Sequence, residues 1–140
     1  MTNFDAAFSL VIGEEGGYTF DASDPGGETK YGLSKRANPS IDIKNLTLDQ
    51  AKAIYRQKYW PTGADTWPWC EALLCFDTAV NGGNWSRWHS MLSGQAPEDF
   101  VTNFQAEHNI FLASLPTWPI YGRGWSRRLL RMAIEALRHA

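Results

Sequence analysis

Glu15, Asp24 and Thr29 lie in one polar stretch and have the types needed for hydrolysis. Phe4, Phe8, Val11 and Ile12 are spaced as one apolar helical face. Glu15 follows four residues after Val11 and three after Ile12, so a helix continuing that far carries it on the same face. Glu14 is rotated about 100° toward the polar side. Burial disfavours a charged carboxylate and raises its pKa, which suits a general acid near neutral pH. The bland alternative is a good helix former framing a solvated helix end. Asp24 stands in the turn Asp24-Pro25-Gly26-Gly27, where an Asp also serves by bonding its own backbone. If the loop folds back, Asp24 and Thr29 face Glu15 across a cleft. Two carboxylates in unlike surroundings provide an acid and a base, and a threonine hydroxyl can hold a water. That set suits glycoside hydrolysis, in which one acid protonates the leaving oxygen and the other carboxylate activates water or steadies the oxocarbenium ion.

Other chemistries fit less well. His89, His108 and His139 are scattered with no His-x-x-x-His pair, so no metal site is expected. Asp21-x-Ser23-Asp24 lacks the oxygen spacing and closing Glu of a calcium loop. Neither a phosphate loop nor a Gly-x-Ser-x-Gly elbow is present.

The elements that must position these residues follow from capping and periodicity. Thr2 to Asp5 forms a capping box that opens a helix over about residues 3 to 15. Residues 16 to 33 are rich in Gly, Asp, Pro and Thr. They predict a loop with a short hairpin, Tyr18 to Phe20 against Thr29 to Gly32. Thr47 to Gln50 caps a second helix through Tyr55 and Tyr59, which Pro61 stops. Trp69 to Val80 is a largely apolar, central helix closed by Asn81-Gly82-Gly83. Ser86 to Leu92, Pro97 to about Leu115 and Trp125 to Arg138 follow as helices, with a turn framed by Pro116 and Pro119 before the last. The last has Trp125, Leu129, Met132 and Ala136 on one face.

With 140 residues, the chain suits one domain with a real core, and 44% hydrophobic against 20% charged content makes it globular. A net charge of −2 argues against a general nucleic-acid partner. Cys70 and Cys75 point to different helix faces, so they are expected as buried free thiols from a reducing compartment. The run Phe8 to Ile12 is too short and unflanked for a signal peptide, and no stretch reaches the ~20 apolar residues of a membrane span.

The order Glu15-Gly16-Gly17-Tyr18, then Asp24-Pro25-Gly26-Gly27-x-Thr29-x-Tyr31-Gly32-Leu33-Ser34, then Phe76-Asp77-x-Ala79-Val80-Asn81-Gly82-Gly83 resembles glycoside hydrolase family 108. Gly124-Trp125-x-x-Arg128 is similar to the end of the peptidoglycan-binding segment that usually follows in that family. The resemblance implies an N-acetylmuramidase of the bacteriophage endolysin kind. It implies a mostly α (α+β), lysozyme-like helical domain with a small β-hairpin after the first helix. The whole of 1–140 is then one catalytic domain, with about 95–140 resembling a reduced peptidoglycan-binding segment. It further implies cleavage of the β-1,4 bond after N-acetylmuramic acid, no cofactor, and Glu15 as the catalytic glutamate. The order Glu15, Asp24, Thr29 is also similar to the acid–carboxylate–Thr order of phage-type lysozymes, with a gap before Thr29 that differs by one residue.

Further residues are candidates for substrate binding. Asp77 and Asn81 share one face of the third helix, and either bond the neighbouring loop or reach a substrate amide. Tyr18 and Tyr31, with Trp60 and Trp85, either line the sugar groove or pack in the core. The last helix carries Arg127, Arg128, Arg131 and Arg138 against Glu135. It is either a solvated basic face or a weak outer-membrane contact. The expected partner is the peptidoglycan glycan strand, met by a monomer made in the host bacterial cytoplasm that acts on the cell wall after release. The rival functions are a lytic transglycosylase, which also needs one buried acid, and a non-catalytic wall-binding module.

Overall fold

The computed structural model describes residues 2–13, 17–23 and 27–138. The chain divides into two compact units, Met1–Lys58 and Tyr59–Ala140. The first begins with α1 (Asn3–Val11), opened by the expected capping box: Asp5 N donates to Thr2 Oγ1 at 3.1 Å and Thr2 N to Asp5 Oδ2 at 3.2 Å. Phe4, Ala7, Phe8 and Val11 form its buried stripe. Three short strands follow: β1 (Thr19–Phe20), β2 (Glu28–Lys30) and β3 (Leu33–Ser34), antiparallel in the order β1-β2-β3. The unit closes with α2 (Leu48–Lys58), capped reciprocally by Thr47 and Gln50. Phe8 meets the Tyr55 ring edge-on at 5.6 Å, which joins α1 to α2.

Two expectations change here. The first helix stops at Val11, with Ile12 as its cap and Gly13 at φ +78°, so it does not run to residue 15. The amides of Ile12 and Gly13 both turn back to Phe8 O, a closure that a left-handed glycine makes favourable over another helical turn. The helical phase from Val11 therefore does not carry through to Glu15, which lies outside the described residues. The predicted hairpin is instead two of three strands: Thr29 pairs with Thr19 on one side and Ser34 on the other. Tyr31 and Gly32 form the two-residue turn between β2 and β3, at φ +50° and +75°. Positive φ at both positions matches the strand twist, and glycine takes it readily at the second.

The second unit is built around α3 (Trp69–Asn81), entered through a 3-10 turn at Ala64–Thr66. Every residue from Cys70 to Thr78 is buried, as expected of a largely apolar, central helix. Around it pack α4 (Trp85–Leu92), α5 (Pro97–Ala113) and α6 (Trp118–Arg138). Helix α6 begins seven residues before its expected start at Trp125. Pro119 is its second residue, where a missing N–H costs nothing. Gly122 lets the Trp118 indole fold over the helix, since a Cβ there would lie 2.6 Å from the ring. Leu129, Met132 and Ala136 are buried as expected, and Trp125 is half-buried. Cys70 and Cys75 are buried free thiols.

Candidate functional site

The candidate residues fall into two sets, one in each unit. In the first, Glu15 and Asp24 lie outside the described residues. Thr29 is the centre of the middle strand, half-buried. Directly paired residues of an antiparallel sheet share a face, so Thr19, Thr29 and Ser34 set three hydroxyls in a row across it. Ser34 Oγ accepts from Ala37 N at 3.2 Å. Tyr18 belongs with the other face. It interacts electrostatically with Glu28, which alternates with Thr29 to the opposite side of β2. Partial desolvation first, then the Glu28 charge, raises the Tyr18 phenol above its ordinary value of 10.0. The sheet therefore separates Tyr18 from Thr29.

Tyr31 serves through its backbone: its carbonyl accepts from the Tyr55 hydroxyl at 2.8 Å, which ties the β2–β3 turn to α2. Its half-buried ring has the Lys30 ammonium 5.6 Å from the centroid. Together these contacts hold β2, and so Thr29, against the helical part of the unit.

In the second unit, Asp77 and Asn81 are brought together as the spacing predicts. Asn81 Nδ2 donates to Asp77 O at 2.9 Å and to Asp77 Oδ1 at 3.0 Å. That oxygen also accepts from Arg128 Nη2 at 2.7 Å and Arg128 Nε at 3.2 Å. Arg128 is thus not part of a solvated basic face. It reaches back from α6 to a carboxylate that is 1% exposed. A buried carboxylate requires such a partner. A carboxylate in a largely apolar helix signals that need in the sequence, but the choice of Arg128 depends on how α3 and α6 pack.

A cavity of about 120 Å³ opens beside this pair, with His108, Trp125 and Leu112 among its walls. His108 is 2% exposed; its Nε2 lies 3.0 Å from Gly82 O and its Nδ1 3.4 Å from Thr78 Oγ1. A carbonyl can only accept, so the ring is protonated on Nε2. Burial, the largest cause, holds the imidazole below its ordinary value of 6.5; the Asp77 charge and the bond to Gly82 O pull upward. His108 thereby ties α5 to the turn that ends α3, a role its isolated position in the sequence gave no hint of.

A second buried carboxylate is likewise satisfied. Glu71 Oε1 lies 2.7 Å from His89 Nε2 and accepts from Ser93 Oγ at 2.9 Å, while Gly94 N donates to Oε2 at 3.4 Å. Trp67 stacks on the His89 ring at 3.9 Å. Serine and histidine both address the carboxylate and not each other, so this staple joins α3 to the end of α4. Trp60 resolves to the core reading, edge-on to Phe76 at 5.5 Å, whereas Trp85 is half-buried against Trp67. Among the described residues no group of His, Cys, Asp and Glu could hold a metal ion.

No curated protein matches the chain significantly. Among solved structures, Brucella abortus SagA superposes with a TM-score of 0.79 at 24% identity, covering 97% of this chain and 94% of that one. That likeness shows the mostly α, lysozyme-like fold. The family described as glycosyl hydrolase 108 matches residues 8–83, more than half of the chain, a span running from α1 through the sheet to the end of α3. The chain belongs to glycosyl hydrolase family 108, and so to the glycosidases, enzymes whose substrates are glycans.

Proposed function

We propose that this glycosidase is an N-acetylmuramidase that hydrolyses the β-1,4 bond between N-acetylmuramic acid and N-acetylglucosamine in peptidoglycan. One observation carries the reading: the family match spans residues 8–83, a range that contains Glu15, Asp24, Thr29, Asp77 and Asn81. In the proposed mechanism Glu15 protonates the glycosidic oxygen as the bond from C1 breaks. Asp24 steadies the developing cation or takes the proton of the attacking water. Thr29 holds that water, and the neighbouring hydroxyls of Thr19 and Ser34 support this role with a polar row on the same sheet face.

Tyr18, Tyr31 and Asn81 are proposed to meet the glycan strand. Both Asn81 N–H contacts go to Asp77, which leaves its carbonyl oxygen for a substrate N–H. Asp77 then contributes by positioning Asn81 and Arg128. The whole chain, 1–140, is proposed to act as one catalytic domain of a phage endolysin, made in the host cytoplasm and working on the wall after release.

Mass spectrometry of digested peptidoglycan tests the reaction. Reducing muramic ends are expected from wild type; 1,6-anhydro ends would make the chain a lytic transglycosylase. Glu15→Gln is expected to lose on the order of a hundredfold or more in rate. Full activity in that variant would remove Glu15 from the acid role. A biological effect that survives Glu15→Ala without any glycan cleavage would favour a wall-binding module.

A further inference from the structure

Helix α6 turns one face to the core and leaves a second apolar stripe outside. Leu130 is 67% exposed, Ile134 53% and Leu137 39%. They stand at i, i+4 and i+7, so they form one continuous line. Arg127 and Arg131 run beside that line, and Arg123 extends it toward the helix start. These three arginines are exposed and make no ion pair among the described residues. Helix α6 carries one acid, Glu135, and it is bonded to Arg138 at 2.9 Å. A chain of net charge −2 therefore presents a locally cationic, apolar helix face. Leu130 is also the lip of an open groove of about 410 Å³ between α5 and α6, with Val101, Ala106 and Ala133 in its walls, so the apolar ground is wider than the stripe.

We infer that this face docks on the surface of an anionic phospholipid bilayer, with Leu130 and Ile134 dipping among the acyl chains and Arg123, Arg127 and Arg131 at the headgroups. A helix lying in the interface needs this pairing of apolar stripe and basic flank. Charge decides between a bilayer and a second copy of the chain. Two copies joined through this face would bring their arginine rows together, with nothing on α6 to offset them, whereas an anionic surface neutralises them. Glu98 and Asp99 lie by Leu137, so insertion is centred on Leu130 and Ile134. Helix α6 lies on the membrane and does not cross it: no helix among the described residues is long and apolar enough to span one.

Co-sedimentation of the full chain with phosphatidylglycerol/phosphatidylethanolamine vesicles and with phosphatidylcholine vesicles tests this. Wild type is expected on the anionic vesicles at low salt and to leave them as salt rises. Leu130→Ser with Ile134→Ser, and separately Arg127→Gln with Arg131→Gln, are each expected to lower that partitioning by about tenfold or more. Both double variants should keep wild-type activity on isolated peptidoglycan and the wild-type circular dichroism spectrum. Equal partitioning on the two vesicle types, or unchanged binding in the Leu130/Ile134 variant, overturns the proposal. A dimer seen by analytical ultracentrifugation that the same variant dissolves, without vesicle binding, assigns the face to self-association instead.

Discussion

Asp77 shows how unevenly the two halves of an ion pair share its risk. Its carboxylate is buried, while the Arg128 side chain is 37% exposed. Removing the arginine leaves a buried charge with Asn81 Nδ2 but no cation to offset it; removing the aspartate leaves a guanidinium that can turn to solvent. Arg128→Ala is therefore expected to cost about 3 kcal/mol and Asp77→Ala less, as read by urea unfolding. Equal losses would contradict this asymmetry. An Asp in the middle of an apolar helix announces in the sequence that it needs a partner. Which of thirteen Lys and Arg residues answers is not written there, because the pair spans fifty-one positions and depends on two helices packing.

At the scale of elements, the β2–β3 turn is the most constrained local structure of the first unit. Gly32 sits at φ +75°, and a Cβ there would lie 2.6 Å from the Tyr55 hydroxyl. Gly32→Ala is expected to lower stability by about 1–3 kcal/mol, through backbone strain and loss of the bond from Tyr55 to Tyr31 O. A thermal midpoint within a degree of wild type would show that the turn relaxes freely. Capping chemistry made the starts of α1 and α2 legible, since Thr2 with Asp5 and Thr47 with Gln50 act over three residues. The misread ends have local causes too. Gly13 stops α1 before the double glycine at 16 and 17, and Pro119, which reads as a turn residue in the sequence, sits in the first turn of α6, where a proline suits a helix.

For the molecule as a whole, His108 links stability to pH. In the unfolded chain its imidazole takes a proton below about 6.5, whereas the buried ring resists until a lower pH. Its contribution is thus present in full above 6.5 and is lost as the pH falls from there through the folded value. The urea midpoint is expected to drop between pH 7 and 5.5, and His108→Gln should flatten that part of the curve. Parallel curves for the two proteins would show that His108 does not govern the slope.

By itself, the sequence determined the mostly α class, the order of its helices, the capped helix starts and the motif that marks the family, because each is written in neighbouring residues or in a short period. It also brought Asp77 and Asn81 together through helical spacing alone. Tertiary structure decided the rest: the third strand beside Thr29, the separation of Tyr18 from it, the reach of Arg128 to Asp77, and the apolar stripe left outside on α6. Leu130, Ile134 and Leu137 are chemically no different from Leu129 and Met132. Spacing alone marked Leu129, Met132 and Ala136 as one face of α6, but that Leu130, Ile134 and Leu137 stay uncovered depends on where the neighbouring helices lie.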